Sequence, residues 1–127
     1  MARIDNFMPS PVAIAGQPSS QGGSANGGTL LVTATTTSAP YLLPEGGEDL
    51  EIYNAGSVTV YIEQGQAGVV ATVPSGTFGS YPIPAGITKV IRRLNYFLGG
   101  ATQLAPWIAV IASSTTAVIT ISVGTGS

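Results

Sequence analysis

Residues 49–65, with the sequence DLEIYNAGSVTVYIEQG, alternate apolar and polar side chains with the two-residue period of a β-strand. The apolar positions of the two runs are Leu50, Ile52, Val58, Val60 and Ile62. Between the runs, Asn54 to Ser57 have turn chemistry, because Asn and Gly tolerate positive φ and the Asn and Ser side chains can bond the local backbone. The pattern predicts a half-buried β-hairpin whose apolar face needs a second layer of structure over it.

The rest of the sequence predicts further short strands and turns. The 127 residues include 17 Gly and 9 Pro, and no stretch sustains a period of 3.6 residues. The other predicted strands are Leu30 to Thr37, an edge segment Tyr41 to Leu43, Val69 to Val73, Phe78 to Tyr81, Ile87 to Leu94, and a terminal hairpin of Trp107 to Ala112 with Ala117 to Val123. Strands at intervals of about 8 to 12 residues predict an all-β fold, a single antiparallel β-sandwich or jelly roll over residues 29–127.

Met1 to Gly28 is predicted to be an extended N-terminal arm, because it contains three prolines and ends in a Gly-rich and Ser-rich run. Its first half also carries apolar side chains, for which a purely solvated tail has little need. Two interpretations stay open: a disordered terminus, or an arm that becomes ordered on a neighbouring subunit or a partner surface. In the second case, the contact residues are Ile4, Phe7, Met8, Val12 and Ile14.

The inventory of reactive side chains is poor. The absence of Cys and His removes disulfides, thiol nucleophiles, imidazole bases and the common zinc ligands. Glu51 and Glu63 are expected on one outward face of the hairpin, as a glycosidase would need, but a solvated strand face explains them as well. The acidic turn Glu45 to Asp49 lacks the ligand spacing of an EF-hand calcium loop. We therefore expect no enzymatic activity, no cofactor and no metal.

Charge and hydropathy also limit the partners. Four basic and six acidic side chains give a net charge of −2, without the basic stripe of a nucleic-acid-binding protein. Pro9 and Pro11 interrupt the apolar run that a secretory signal requires. Trp107 to Val123 is apolar, but Ser113 to Thr116 in its middle favour two strands and a turn over a membrane-spanning helix. We expect neither nucleic acid nor membrane as a partner, and folding where the chain is made.

Two charge clusters of opposite sign and one loop are candidate contact surfaces. The acidic cluster is Glu48, Asp49 and Glu51, and the basic cluster is Lys89, Arg92 and Arg93. They either pair across the sheet of one subunit or set the register between subunits of an oligomer. Asn95 to Pro106 is a longer connection in which Tyr96 and Phe97, together with the adjacent Trp107, form a possible contact loop, although such aromatics more commonly fold back onto the core.

The motifs follow one another in a characteristic order. They are the strand and turn Leu50 to Ser57, a valine-rich strand ending at Gly65, the dipeptide Ala71-Thr72, the turn Ile83 to Gly86, and closing strands Ile108 to Ser113 and Ala117 to Gly124. This order resembles that of small tailed-bacteriophage virion proteins, some of which decorate the head. The resemblance runs from Leu30 to the C-terminus. The segment Arg92 to Pro106 is longer than in that pattern, and Ser114-Thr115 replaces the usual Gly-Thr.

The resemblance implies a non-enzymatic β-sandwich that binds the outer surface of the phage head and stabilises it, as a decoration or cement protein does. It implies the major capsid protein and copies of the chain itself as partners, in a dimer or trimer, and a location in the virion after synthesis in the host cytoplasm. A different class stays open as the alternative: a receptor- or glycan-binding module of a tail fibre, collar or surface appendage. That module would use Tyr53, Tyr61, Tyr96 or Trp107 as stacking platforms.

Overall fold

The computed structural model describes residues 8–9, 28–44, 47–76, 78–98 and 101–125, with 8–9, 96–98, 101–102 and 125 described by their backbone alone. All the regular secondary structure in these residues consists of β-strands. The strands are β1 (Met8–Pro9), β2 (Thr29–Ala34), β3 (Ala39–Leu42), β4 (Asp49–Asn54), β5 (Val60–Gly65), β6 (Tyr81–Ile83), β7 (Thr88–Arg92), β8 (Asn95–Leu98), β9 (Ala101–Leu104), β10 (Trp107–Ala112) and β11 (Ala117–Thr125).

The strands form two antiparallel sheets and a separate hairpin of β8 with β9. The first sheet has the order β2-β11-β4-β7, with β1 beside the end of β11 in line with β2. The second has the order β3-β10-β5-β6. The pairs are therefore nested along the chain, β2 with β11, β3 with β10, β4 with β7 and β5 with β6. This nesting is a jelly roll, and it confirms the predicted all-β sandwich.

The core lies between the two sheets. Alternate side chains of each strand point inward, and the largest fully buried ones are aliphatic. They include Leu50, Ile52, Ile62, Ile83, Ile108, Ile119, Ile121, Val32, Val60, Val110 and Val123. Each fully buried Leu or Ile contributes about 1.5–3 kcal/mol relative to an exposed one, so this layer is the main favourable contribution to folding.

Residues 49–65 do not form the predicted hairpin. β4 pairs with β11 and β7, whereas β5 pairs with β10 and β6, so the chain crosses between the sheets at residues 55–59. An alternating strand buries one face whether its sequence neighbour lies beside it or opposite it, so the pattern does not specify the partner. The apolar faces of β4 and β5 point into the same core. Glu51 and Glu63 consequently lie on the outer faces of different sheets, so the expectation that they share one face was wrong.

The terminal strands correct a second prediction in the same way. β10 and β11 have the predicted residues, except that β11 extends to Thr125, but they lie in different sheets. Their connection at residues 113–116 is another crossing between the sheets. Here Ala112 donates its N–H to the carbonyl of Thr35 at 2.7 Å, and Ser113 donates to Thr59 at 2.9 Å.

Residues 66–80 connect β5 to β6, and their described part, 66–76 and 78–80, contains no strand, so the strand predicted for Val69 to Val73 was wrong. Side-chain hydroxyls replace a strand ladder here. Ser38 Oγ accepts a hydrogen bond from the N–H of Ala71 at 2.8 Å, and Ser80 Oγ accepts one from Thr72 at 2.9 Å. Ser80 Oγ donates in turn to Glu63 Oε1 at 2.8 Å. These bonds hold the segment against the second sheet, where Ala71 is buried.

Two local predictions are confirmed. Among the described strands, β3 pairs only with β10 and is an edge strand, as Pro40 required. The turn at Ile83 to Gly86 joins β6 to β7, with the N–H of Ile87 donating to the carbonyl of Pro84 at 3.2 Å. Gly86 has a φ of 73°, the left-handed conformation that favours glycine in such a turn.

Candidate interaction surface

The N-terminal arm is attached to the first sheet. Met8 and Pro9 pair with Thr125 and Gly124 of β11, and Val123 donates its N–H to the carbonyl of Gly28 at 3.2 Å. Pro9 and Gly28 therefore both lie beside the same part of β11. Of the predicted contact residues, Ile4, Phe7, Val12 and Ile14 lie outside the described residues, and Met8 is described by its backbone alone.

The two charge clusters lie on neighbouring strands of one subunit. Asp49 and Arg92 are opposite each other in the pairing of β4 with β7, and Arg92 Nε is 3.9 Å from Asp49 Oδ1. The Arg92 side chain is 60% exposed and the Asp49 side chain only 2%. A long contact to an exposed guanidinium contributes little, on the order of 1 kcal/mol or less. Pairing between subunits stays a prediction.

The other members of the clusters have separate neighbours. Glu51 lies opposite Val90 on β7. Lys89 reaches across to β6, with Nζ 4.8 Å from the centre of the Tyr81 ring and 3.3 Å from its hydroxyl oxygen. A cation above an aromatic face contributes about 0.5–1 kcal/mol at a partly exposed site. Lys89 thus links the edges of the two sheets.

Arg93 is buried and serves the fold. It is 5% exposed, and its guanidinium donates to the backbone carbonyls of Ala105 at 2.8 Å and Pro44 at 3.3 Å. Its own N–H donates to the carbonyl of Glu48 at 2.8 Å. Arg93 therefore joins the segment before β4, the end of β7 and the segment after β9, where the sequence suggested a surface cation.

The predicted contact loop is a strand hairpin. β8 and β9 pair within residues 95–104, and the N–H of Ala105 donates to the carbonyl of Leu94 at 2.8 Å, which closes the base. The side chains of Tyr96 and Phe97 lie outside the described side chains. Trp107 belongs to β10, opposite Leu42 and Gly65, and is half-buried on the second sheet. Trp107 is thus part of the sandwich and not of a loop.

The aromatic residues suggested as stacking platforms lie on separate surfaces. Tyr53 is 42% exposed on the outer face of the first sheet. Tyr61 is half-buried on the outer face of the second, opposite Ile111. Trp107 shares that second face, several residues along β10. Among the described side chains, therefore, Tyr53 is not in one platform with the other two.

The two outer faces of the sandwich differ in what covers them. The face of the second sheet is partly covered by residues 66–80. The face of the first sheet, which we call the open face, exposes Leu31 at 68% and Val118 at 41% in addition to Tyr53. Thr and Ser residues lie between them, namely Thr29, Thr33, Thr88, Thr120 and Ser122. The alternation of Thr with Leu31 in β2 was the available sequence signal for this surface.

A groove of about 710 Å³ lies between the edge strands β6 and β7. Gln64 spans it: its amide Nε2 donates to the carbonyl of Arg92 at 3.1 Å, and its Oε1 accepts from the N–H of Leu94 at 2.8 Å. Ile62, Ile91, Pro82 and Tyr81 are further lining residues. Through these two hydrogen bonds, Gln64 of β5 in the second sheet is joined to the backbone at the end of β7 in the first sheet.

Phe78 is the most exposed large apolar side chain of the described residues, at 84%. It stands in a narrow turn, where the N–H of Ser75 donates to the carbonyl of Phe78 at 3.3 Å and Gly76 has a φ of 83°. Val70 in the same connection is 64% exposed. The sequence predicted a pairing segment here. Only an isolated bridge between Ser75 and Phe78 forms here, and the next strand, β6, starts at Tyr81.

The described ranges hold neither a metal-binding cluster nor a membrane-spanning helix. No group of three or more Asp and Glu side chains there is placed to hold a metal ion, and Glu45 of the acidic turn lies outside those ranges. In the same ranges no helix has the length and apolar character to cross a membrane.

A jelly roll serves many unrelated functions, so the fold alone does not specify one. Comparisons of the chain with protein-family models, with curated proteins and with solved structures gave no match.

Proposed function

We propose that this protein is a non-enzymatic decoration, or cement, protein of a bacteriophage capsid. It binds the outer surface of the head shell through its N-terminal arm and stabilises the shell. Its partners are the major capsid protein and further copies of itself. The order of motifs from Leu30 onward supports this function, as does the combination of a jelly roll with a weakly charged, partly apolar outer surface.

One observation carries the proposal. Met8 and Pro9 pair with the end of β11, so the seven residues before them start from a defined point at the edge of the first sheet. Seven extended residues span at most about 25 Å, which is enough to reach a neighbouring subunit of a shell. Ile4 and Phe7 in that segment supply the apolar anchors. Bound across a capsomer boundary, they bury apolar area where the contacts of the shell itself are thin.

The proposal is tested by co-sedimentation of the protein with capsids from which it has been stripped. A truncation of residues 1–28 would also remove β1, so substitutions in the full chain are the sharper choice. We expect saturable binding of the natural chain and at least tenfold weaker binding of an Ile4→Asp/Phe7→Asp double variant. The matched control is Phe78→Asp, which places one carboxylate on an exposed aromatic position of the sandwich and should bind normally.

Thermal unfolding of each free variant shows whether the sandwich is intact. Loss of folding in the double variant would place the arm in the core, and absence of binding by the natural chain would reject the decoration function. In a parallel assay, the natural chain should raise the temperature at which the stripped shells rupture.

The alternative is a receptor- or glycan-binding module, and the exposure of Tyr53 on the open face favours it. A glycan array distinguishes the two functions. A saturable sugar signal that Tyr53→Ala abolishes would favour the binding module, whereas a decoration protein should give none.

A further inference from the structure

In the described part of the chain, five strands lie at the edges of the two sheets, with β1 and β2 in line along one edge, and β2 differs from the other four. β1 has only two residues and contains Pro9, β3 contains Pro40 and β6 contains Pro82, and a proline cannot donate to another strand. β7 carries Lys89 and Arg92, and charges on an edge disfavour pairing with a second chain. β2 has the sequence TLLVTA, with six residues and neither proline nor charge. It is the edge most suited to extension by another strand.

The hydrogen-bond pattern identifies which groups of β2 face outward. Val123 donates to the carbonyl of Gly28, and in an antiparallel pair the backbone groups of successive residues point alternately to either side. Leu30, Val32 and Ala34 therefore face β11. The N–H and C=O groups of Thr29, Leu31 and Thr33 face away from the sheet. The side chains of these same residues lie on the open face, where Leu31 is 68% exposed.

We propose that β2 pairs antiparallel with β2 of a second copy, about a two-fold axis at Leu31, and so extends the first sheet across a dimer. In this register Leu31 lies opposite its own equivalent, and Thr29 lies opposite Thr33 of the other copy. Each of the three residue pairs exchanges two backbone hydrogen bonds, because the outward groups of both strands coincide. The interface is isologous, the arrangement that a two-fold dimer requires.

Self-pairing suits this strand for a chemical reason. A strand that carries a charge at or near the axis places it close to its own equivalent, and β2 avoids this because it has none. The Leu–Leu and Thr–Thr pairs that result are cross-strand pairs that stabilise sheets. The dimer rests on the proposed function only in the expectation that the protein associates with itself, and the β2 edge is the surface assigned to that association.

The first test is sedimentation velocity of the full chain without capsids, over a range of concentrations. We expect a reversible dimer in the natural chain and at least a tenfold higher dissociation constant in Leu31→Lys, because two ammonium groups then meet at the axis. The matched control is Val118→Lys, on the same face but one strand inward, which should dimerise normally. Thermal unfolding of both variants should match the natural chain, since both positions are exposed.

The second test addresses the register and uses the absence of cysteine from the chain. Opposite Cα atoms of a hydrogen-bonded antiparallel pair are about 5.5 Å apart, within reach of a disulfide. We expect Leu31→Cys to form a covalent dimer under mild oxidation. In Thr33→Cys the two equivalent positions are four residues out of register, about 13 Å apart, and should not cross-link.

Three outcomes would overturn the proposal: a monomer at every concentration up to about 100 μM, an oligomer that Leu31→Lys leaves intact, or efficient cross-linking of Thr33→Cys in place of Leu31→Cys. A monomer would mean that another segment or protein covers β2. None of these results bears on arm-mediated shell binding, which is measured separately with capsids, so the two proposals can fail independently.

Discussion

The side-chain amide of Asn54, at the end of β4, donates a hydrogen bond of 2.9 Å to the backbone carbonyl of Ile83 in β6, so one buried side chain ties the two sheets together. The same nitrogen donates to the carbonyl of Val58 at 2.8 Å, and Asn54 Oδ1 accepts from the N–H of Gly56 at 2.9 Å. Each polar atom of this side chain therefore has a partner inside the crossing from β4 to β5.

Replacement of Asn54 by Ala should lower the free energy of unfolding by about 2–4 kcal/mol, because buried backbone groups lose their partners. Urea denaturation followed by tryptophan fluorescence measures the change. The control is Asn95→Ala at an exposed position of β8, which should stay within about 0.5 kcal/mol of the natural chain. Equal effects of the two substitutions would contradict a role of Asn54 in joining the sheets.

Replacement of Arg93 by Met keeps the apolar stem but removes the donors to Pro44 and Ala105. We expect a loss of about 2–4 kcal/mol, since a buried hydrogen bond to a charged group contributes about 1.5–3 kcal/mol and two carbonyls are involved. Lys89→Met is the matched control and should cost less than about 1 kcal/mol, as it removes only the contact with Tyr81. Chemical denaturation of both variants decides this, and a larger effect of Lys89→Met would reject the assignment.

Substitution of Gly47 and of Gly68 by Ala distinguishes the cost of backbone strain from the cost of steric overlap. Both have positive φ, 71° and 93°, but a Cβ at Gly47 would lie 2.5 Å from the carbonyl oxygen of Gly124, whereas a Cβ at Gly68 meets nothing within 4 Å. Gly68→Ala should cost only the left-handed backbone conformation, about 1–2 kcal/mol. Gly47→Ala should cost at least about 1 kcal/mol more, because the chain must move away from β11. Thermal unfolding of the pair tests this, and equal losses would show that the contact relaxes freely.

Ile83 and Phe78 lie five positions apart and differ fully in burial. Ile83 is 0% exposed, so Ile83→Ala should lose about 2–5 kcal/mol through the lost contacts and the cavity. Phe78 is 84% exposed, so Phe78→Ala should change stability by less than about 0.5 kcal/mol although more atoms are removed. Guanidinium denaturation measures both variants. A large effect of Phe78→Ala would mean that this turn packs against another part of the chain.

The candidate contact residues were only partly accessible to sequence reasoning. Pairing of opposite charges across the sheet was one of two interpretations, and Asp49 does lie opposite Arg92. Burial of Arg93 was not, because the carbonyls that receive it, from Pro44 and Ala105, are distant in sequence. The exposure of Phe78 was missed for a related reason. Aromatic residues are enriched in strands, so the local sequence favours a strand at Phe78, and only the tertiary structure shows that this residue stands in an exposed turn.

Local patterns in the chain were sufficient for its β-class, for most strand positions, for the turn before Ile87 and for the burial of Leu50, Ile52, Val60 and Ile62. These properties depend on period-two alternation and turn chemistry, which act over a few residues. The choice of partner for each strand came from contacts across the whole chain. An alternating strand hides its apolar face equally well in a hairpin or in a crossing between sheets, and the tertiary packing of Leu50 and Ile52 with Val60 selected the crossing.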